Sequence, residues 1–221
     1  LPRFSLLLLV MIATSLQAAD WNQFRGPNAD GKTDAKLPLE FGENKNVAWK
    51  TPMPGKAWSS PVIWKNQVWL TNALPDGHKL WAVCVDLETG KILHNILVFD
   101  IAEPQFCIAM NSYASPTPVV EDGRVLVSFG AHGNALLDTA TGKKIWSRQD
   151  IECNHHRAPA SSPIPYQGLY ILLFDGFDKQ YVIALDKKTG KTTWTHHRAF
   201  DFQTTNGDRK KAYGTPSIIT H

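Results

Sequence analysis

The chain has 221 residues, 43% hydrophobic and 19% charged, with 23 Lys plus Arg against 20 Asp plus Glu. That composition excludes a disordered polymer, and the net charge of +3 comes without any basic block, so nucleic acid is not an expected partner. Eight tryptophans, 15 glycines and 14 prolines favour many short strands and turns over long helices.

Residues 1–19 carry the ordered features of a secretory signal peptide. Arg3 is a short basic region, Phe4 to Ala13 is apolar, and Thr14-Ser15-Leu16-Gln17-Ala18-Ala19 is a small-residue end. The apolar run is shorter than the roughly 20 residues that span a bilayer. Cleavage is predicted after Ala18 or Ala19, which implies export to the periplasm or beyond and no transmembrane segment in the mature chain. No cysteine follows the cleavage point until Cys84, so a lipid-anchored terminus is not expected. Three cysteines, Cys84, Cys107 and Cys153, allow at most one disulfide in an oxidising compartment, and the pairing is open.

Residues 20–47 form a predicted N-terminal arm. Within it, Gly26-Pro27-Asn28-Ala29-Asp30-Gly31-Lys32-Thr33 matches the phosphate-loop pattern GxxxxGK[ST]. The match lacks its chemistry: Pro27 removes one of the N–H groups that would cradle phosphate, no apolar strand precedes it, and Asp34 to Pro38 is too short for the helix that must follow. The segment is expected to be an extended arm packed across the fold.

From residue 48 a repeat dominates. Cys84-Val85-Asp86-Leu87-Glu88-Thr89-Gly90, Leu136-Leu137-Asp138-Thr139-Ala140-Thr141-Gly142 and Ala184-Leu185-Asp186-Lys187-Lys188-Thr189-Gly190 share one pattern, roughly 50 residues apart. Each is preceded by a second marker, at Ser60-Pro61, Thr117-Pro118 and Ser162-Pro163, and a fourth marker stands at Thr215-Pro216. In the second repeat, strands are predicted over Pro118 to Val120, Val125 to Phe129, Ala135 to Asp138 and Lys144 to Arg148. The Asp carboxylate of each turn can accept backbone N–H groups, and its Gly takes a conformation that a Cβ forbids. Four strands per repeat at this period is the signature of a β-propeller blade rather than of a sandwich.

The third unit continues to Trp194 and fits Ala-x-Asp-x-x-Thr-Gly-x-x-x-Trp throughout; the second continues to Trp146 and departs only at Leu136. The first has Cys84 for Ala and His94 for Trp, so its wedge between blades is expected to be weak. This pattern resembles the tryptophan-docking, PQQ-like repeat of quinoprotein propellers. Trp21-Asn22-Gln23-Phe24-Arg25-Gly26-Pro27, Ala48-Trp49-Lys50, Trp58-Ser59-Ser60-Pro61 and Phe174-Asp175-Gly176-Phe177-Asp178 resemble exported bacterial members of that family. The resemblance implies an all-β propeller of four-stranded blades over residues 48–221, with three blades and the start of a fourth. It also implies that Trp49 lies on a strand closing the ring. Beginning at Leu1 and stopping inside a repeat, the chain is expected to be an N-terminal fragment with further blades missing.

The motif is specific for fold and weak for activity. Cys153-Asn154-His155-His156-Arg157 offers zinc-type ligands, but successive His side chains on an extended chain point to opposite faces, and no four-ligand spacing appears. The same holds for His196-His197-Arg198. A rim binding site is the functional expectation, with His155, Arg157, Asp175 and Asp178 as candidates; Arg157 could hold a carboxylate or phosphate with two bonds. No catalytic residue and no metal ligand are predicted. The resemblance to BamB-like scaffolds implies a non-enzymatic binding or assembly role with envelope or outer-membrane partners and no cofactor. The alternative it implies is an alcohol or sugar dehydrogenase using PQQ and calcium, which would need oxygen ligands for Ca²⁺ and a carboxylate base. A second alternative is an extracellular ligand-binding or sensor module.

Overall fold

The computed structural model describes residues 20–219. The predicted signal peptide lies outside the described residues. Twelve strands form three four-stranded antiparallel sheets. Blade 1 comprises β1 (Val62–Trp64), β2 (Gln67–Ala73), β3 (Lys79–Asp86) and β4 (Ile92–Asp100). Blade 2 comprises β5 (Val119–Glu121), β6 (Arg124–Ser128), β7 (Asn134–Asp138) and β8 (Lys144–Arg148). Blade 3 comprises β9 (Ile164–Tyr166), β10 (Leu169–Asp175), β11 (Gln180–Asp186) and β12 (Thr192–His197). Each sheet is a meander in chain order, as a propeller blade requires.

The first hairpin of every blade has a two-residue turn. Asp122 and Gly123, with φ of 47° and 73°, join the Glu121–Arg124 pair. Positive φ at both positions is the turn whose twist matches antiparallel strands. β5 and β6 each start or end one residue from the expected bounds. Pro118 has no N–H to give to a ladder, and the Phe129 N–H bonds Gly133 O inside the following loop.

Burial decides where the core sits. The middle strands of blade 2 bury both faces with period-two alternation. Val125, Val127, Ala135 and Leu137 pack with Trp69, Leu80 and Phe99 of blade 1. Leu126 and Leu136 pack with Tyr170, Leu172 and Leu185 of blade 3. The cores therefore lie between sheets. The outermost strand β12 is exposed along its whole length.

Two bond systems link the blades. The first uses the repeat turns. Asp86, Asp138 and Asp186 each accept the N–H and hydroxyl of the turn threonine at 2.7–2.8 Å. The turn glycines, Gly90, Gly142 and Gly190, have φ near +70°. Trp146 lies over Gly190 and donates its indole N–H to Lys187 O at 3.1 Å. Trp49 lies over Gly90 and donates to Leu87 O at 2.8 Å. Trp49 therefore docks on blade 1 from irregular backbone, not from the expected strand. His94 takes the wedge position at the next junction. Its Nε2 meets Thr139 O at 3.2 Å, the same carbonyl position, and Ile96 covers Gly142 beside it. Trp69 stacks on the His94 ring, so the junction is filled by three smaller contributions. Trp194 is 41% exposed, and no turn covers it among the described residues.

The second system uses the Ser/Thr-Pro markers. Ser60 N donates to Thr117 Oγ1 at 3.1 Å, Thr117 N to Ser162 Oγ at 3.0 Å, and Ser162 N to Thr215 Oγ1 at 3.1 Å. Each marker hydroxyl thus accepts from the marker of the preceding blade, and Thr215 continues the series.

Candidate binding site at the connector face

Antiparallel meanders put the β1–β2, β5–β6 and β9–β10 turns and the Asp-x-x-Thr-Gly turns at one end of the blades. The connectors between blades, and the loops after β2, β6 and β10, gather at the other. Here the segment after β8 meets the loop after β10. Phe177 N donates to Asn154 O, and Asn154 N donates to Asp178 Oδ1, both at 2.7 Å.

Gln105 organises the floor of this region. Its side chain accepts from His155 N at 3.0 Å and donates to Cys153 O at 2.8 Å. Its backbone N–H donates to His132 Nε2 at 3.0 Å, and its carbonyl accepts the Tyr113 hydroxyl at 2.6 Å. His155 Nε2 accepts from Ala131 N at 3.0 Å. Both imidazoles are buried, and accepting at Nε2 requires each to be neutral with its proton on Nδ1. Burial pushes His155 down to about 4, helped by nearby His132 and opposed by Asp178, and burial also lowers His132. The Cys153 thiol, 3.9 Å from His155 Nδ1, is pushed up to about 12 by burial and then by Asp178 and Asp175. It is a thiol, not a thiolate, and cannot serve readily as nucleophile or ligand.

The charged candidates are already paired. Arg157 donates to Asp208 Oδ2 at 2.9 Å, and Lys211 holds Asp208 Oδ1 at 2.5 Å. Lys211 keeps Asp208 below the usual carboxylate range. Asp175 is buried and faces Arg198 at 2.6 Å; its burial raises its pKa and Arg198 opposes that rise. Asp178 braces the loop by accepting from Asn154 N and Lys179 N. The structure thus brings His155, Arg157, Asp175 and Asp178 into one region, with His155 and Asp175 beneath the surface rather than on the rim.

What the rim exposes is aromatic. His156 sits between Phe177 and Phe106, with ring centroids 4.9 Å and 6.1 Å away, and Phe106 and Met110 are 62% and 74% exposed. His156 has φ of +60°, and Arg157 N bonds His155 O across it at 2.7 Å, a strained three-residue turn. Ala158, with φ of +71°, repeats the strain two residues later. Phe177 lay within a motif visible in the sequence. Gln105, His132, Phe106 and Asp208 carried no signal there, because the groups they meet in this site are 27 to 51 residues away.

His196 and His197 lie on the exposed outer strand β12, and His197 packs on Tyr181 at 5.5 Å. Among the described residues, no three His, Cys, Asp or Glu side chains gather as metal ligands do. Asp175 does not suit calcium, since it faces an arginine, and Asp178 Oδ1 is occupied by two amides.

Meander sheets, glycine turns under tryptophan wedges and a connector-face rim define a β-propeller of the tryptophan-docking, PQQ-like type. The chain belongs to the family described as outer membrane protein assembly factor BamB, whose profile it matches over residues 82–219. No curated protein sequence matches it. Among solved structures it is similar to BamB from Moraxella catarrhalis, with 16% identity and a TM-score of 0.56 over 80% of this chain and 49% of that one. It is also similar to a europium-containing methanol dehydrogenase, with 15% identity and a TM-score of 0.60 over 85% of this chain and 33% of that one. A third is the quinohemoprotein alcohol dehydrogenase from Comamonas testosteroni, with 17% identity and a TM-score of 0.56 over 84% of this chain and 28% of that one. At these identities the likeness is one of fold, and the chain spans half or less of each structure. No helix among the described residues is long and apolar enough to cross a membrane.

Proposed function

We propose that this chain belongs to an exported, non-enzymatic propeller scaffold that binds envelope or outer-membrane proteins through its connector face. One observation carries the reading. The candidate charged groups and the buried imidazoles of the face are paired internally, while Phe106 and Met110 after β4, His156 after β8 and Phe177 after β10 present an aromatic and apolar rim. Such a rim suits protein recognition, where aromatic anchors supply most of the binding energy. The family description supports the same reading.

The test is site-specific photo-crosslinking in the envelope of cells making the full protein. A crosslinker at Phe106 or Phe177 should capture one defined envelope protein, and a crosslinker at Lys143 on the opposite end should not. Equal capture from both ends, or reduction of an acceptor dye with alcohols or aldoses after addition of PQQ and Ca²⁺, overturns the scaffold reading.

A further inference from the structure

The N-terminal arm makes contacts that the scaffold reading does not use. The inner strands β1 and β5 lie against one another, and each has one edge turned toward the propeller axis with no strand of its own blade to pair it. The arm pairs both edges. Trp21 N donates to Ile63 O at 3.0 Å, and Ile63 N donates to Trp21 O at 2.8 Å. One residue later Asn22 O accepts the N–H of Val120 at 2.9 Å. Asp20 accepts the N–H of Lys65, in the β1–β2 turn, at 3.0 Å. Four bonds therefore tie three consecutive arm residues to two blades along their axial edges.

The chain then reverses on itself. Gly26 N bonds Gln23 O, Ala29 N bonds Gly26 O and Gly31 N bonds Arg25 O, at 2.9–3.0 Å. Arg25 and Ala29 take left-handed φ of 64° and 55°, and the Trp21 ring closes on Gly26, where a Cβ would overlap it. Gln23 and Gly26 are buried. This knot occupies the axial space, facing Ile164 and Pro165 of β9 across one crevice and Thr215–Ser217 across another. Gly26 to Gly31, most of the segment that imitates a phosphate loop in the sequence, belong to it.

We propose that residues 20–31 are an axial strap. It joins blades 1 and 2 along their inner edges, running from the β1–β2 turn toward the connector face, where its reversal fills the axial space beside Ala160 and Tyr213. The strap begins directly after the predicted signal peptide. Signal-peptide removal at the predicted point would leave it as the first segment of the mature chain. The inference goes beyond the scaffold reading and holds whatever the rim binds.

Hydrogen exchange on the full protein tests it, with and without residues 20–31. Loss of the strap should speed exchange at the Ile63 and Val120 amides at least tenfold, and leave Leu126 and Leu136 in the middle of blade 2 unchanged. Unchanged exchange at Ile63 and Val120 overturns the proposal. Should the shortened chain fail to fold, limited trypsin digestion of the intact protein gives an independent reading. Cleavage after Lys32 and Lys36, in the exposed part of the arm, should precede cleavage after Arg25 by at least tenfold. Equal rates at Arg25 and Lys32 overturn the strap.

Discussion

Trp146 covers Gly190 across the boundary between blades 2 and 3, and its indole N–H is bonded to the carbonyl just after the turn aspartate. The contact requires glycine twice over. Its φ is +70°, and a Cβ would meet the indole ring. Gly190→Ala should therefore cost about 2 kcal/mol or more, since backbone strain and displacement of the wedge add. Denaturant unfolding, followed through tryptophan fluorescence, measures it. A loss below 0.5 kcal/mol, within the usual range of surface substitutions, would show that the wedge carries little.

At the neighbouring junction His94 occupies the wedge position with help from Ile96 and Trp69. His94→Ala should cost about 1 kcal/mol through lost stacking on Trp69, because Gln67 still donates to Thr139 O. Restoring the repeat residue, His94→Trp, should bring no gain, because Ile96 already holds the surface above Gly142. A clear rise in the unfolding midpoint of that variant would contradict this packing account.

The axial bonds predict a different kind of loss. Thr117 is buried, and its hydroxyl accepts from Ser60 N while its N–H donates to Ser162 Oγ. Thr117→Val keeps the shape and strands the Ser60 N–H, at a cost of about 1–3 kcal/mol. Thr117→Ser should recover most of it, measured in the same unfolding experiment.

Acid should loosen the connector face. The folded-state pKa of His155 lies below its ordinary value, so the unfolded chain binds the extra proton first. The stabilisation is full above about pH 6.5 and is lost as the pH falls toward about 4. A shift from 6.5 to about 4 corresponds to about 3 kcal/mol, and lowered His132 acts in the same direction. His155→Gln should flatten the stability profile between pH 6.5 and 4. An unchanged slope would place the acid sensitivity elsewhere.

The three thiols are free and unequal. Cys84 and Cys153 are buried with pKa values pushed up to about 12, whereas Cys107 is partly exposed and less strongly raised. A disulfide-exchange reagent at pH 8 should titrate one thiol quickly in the folded protein and all three after unfolding. Fast reaction of two or three thiols in the native state would refute the burial.

The repeat was legible because it is local. Asp186, Thr189 and Gly190 bond within five residues, so their spacing survives as a sequence pattern and specifies the turn wherever it occurs. Three such turns, with the Ser/Thr-Pro markers between them, determined the three sheets seen among the described residues, their strand order and the wedge Trp146. The phosphate-loop likeness was dismissible on the same local grounds, since Pro27 and the missing helix are visible without a fold. Asp175 and Arg157 were legible as charged residues near one another but not as paired groups, because Arg198 and Asp208 come from distant segments.

By itself, then, the sequence determined a tryptophan-docking propeller, its turns and its exported character as an expectation. Only the tertiary structure decided which carbonyl each ring bonds, that His155 and Asp175 are buried, that Gln105 joins two neutral imidazoles, and that the arm pairs the inner edges of β1 and β5. Those outcomes depend on burial and on partners dozens of residues away. A backbone amide such as Ile63 N–H carries no side-chain identity that a sequence could reveal.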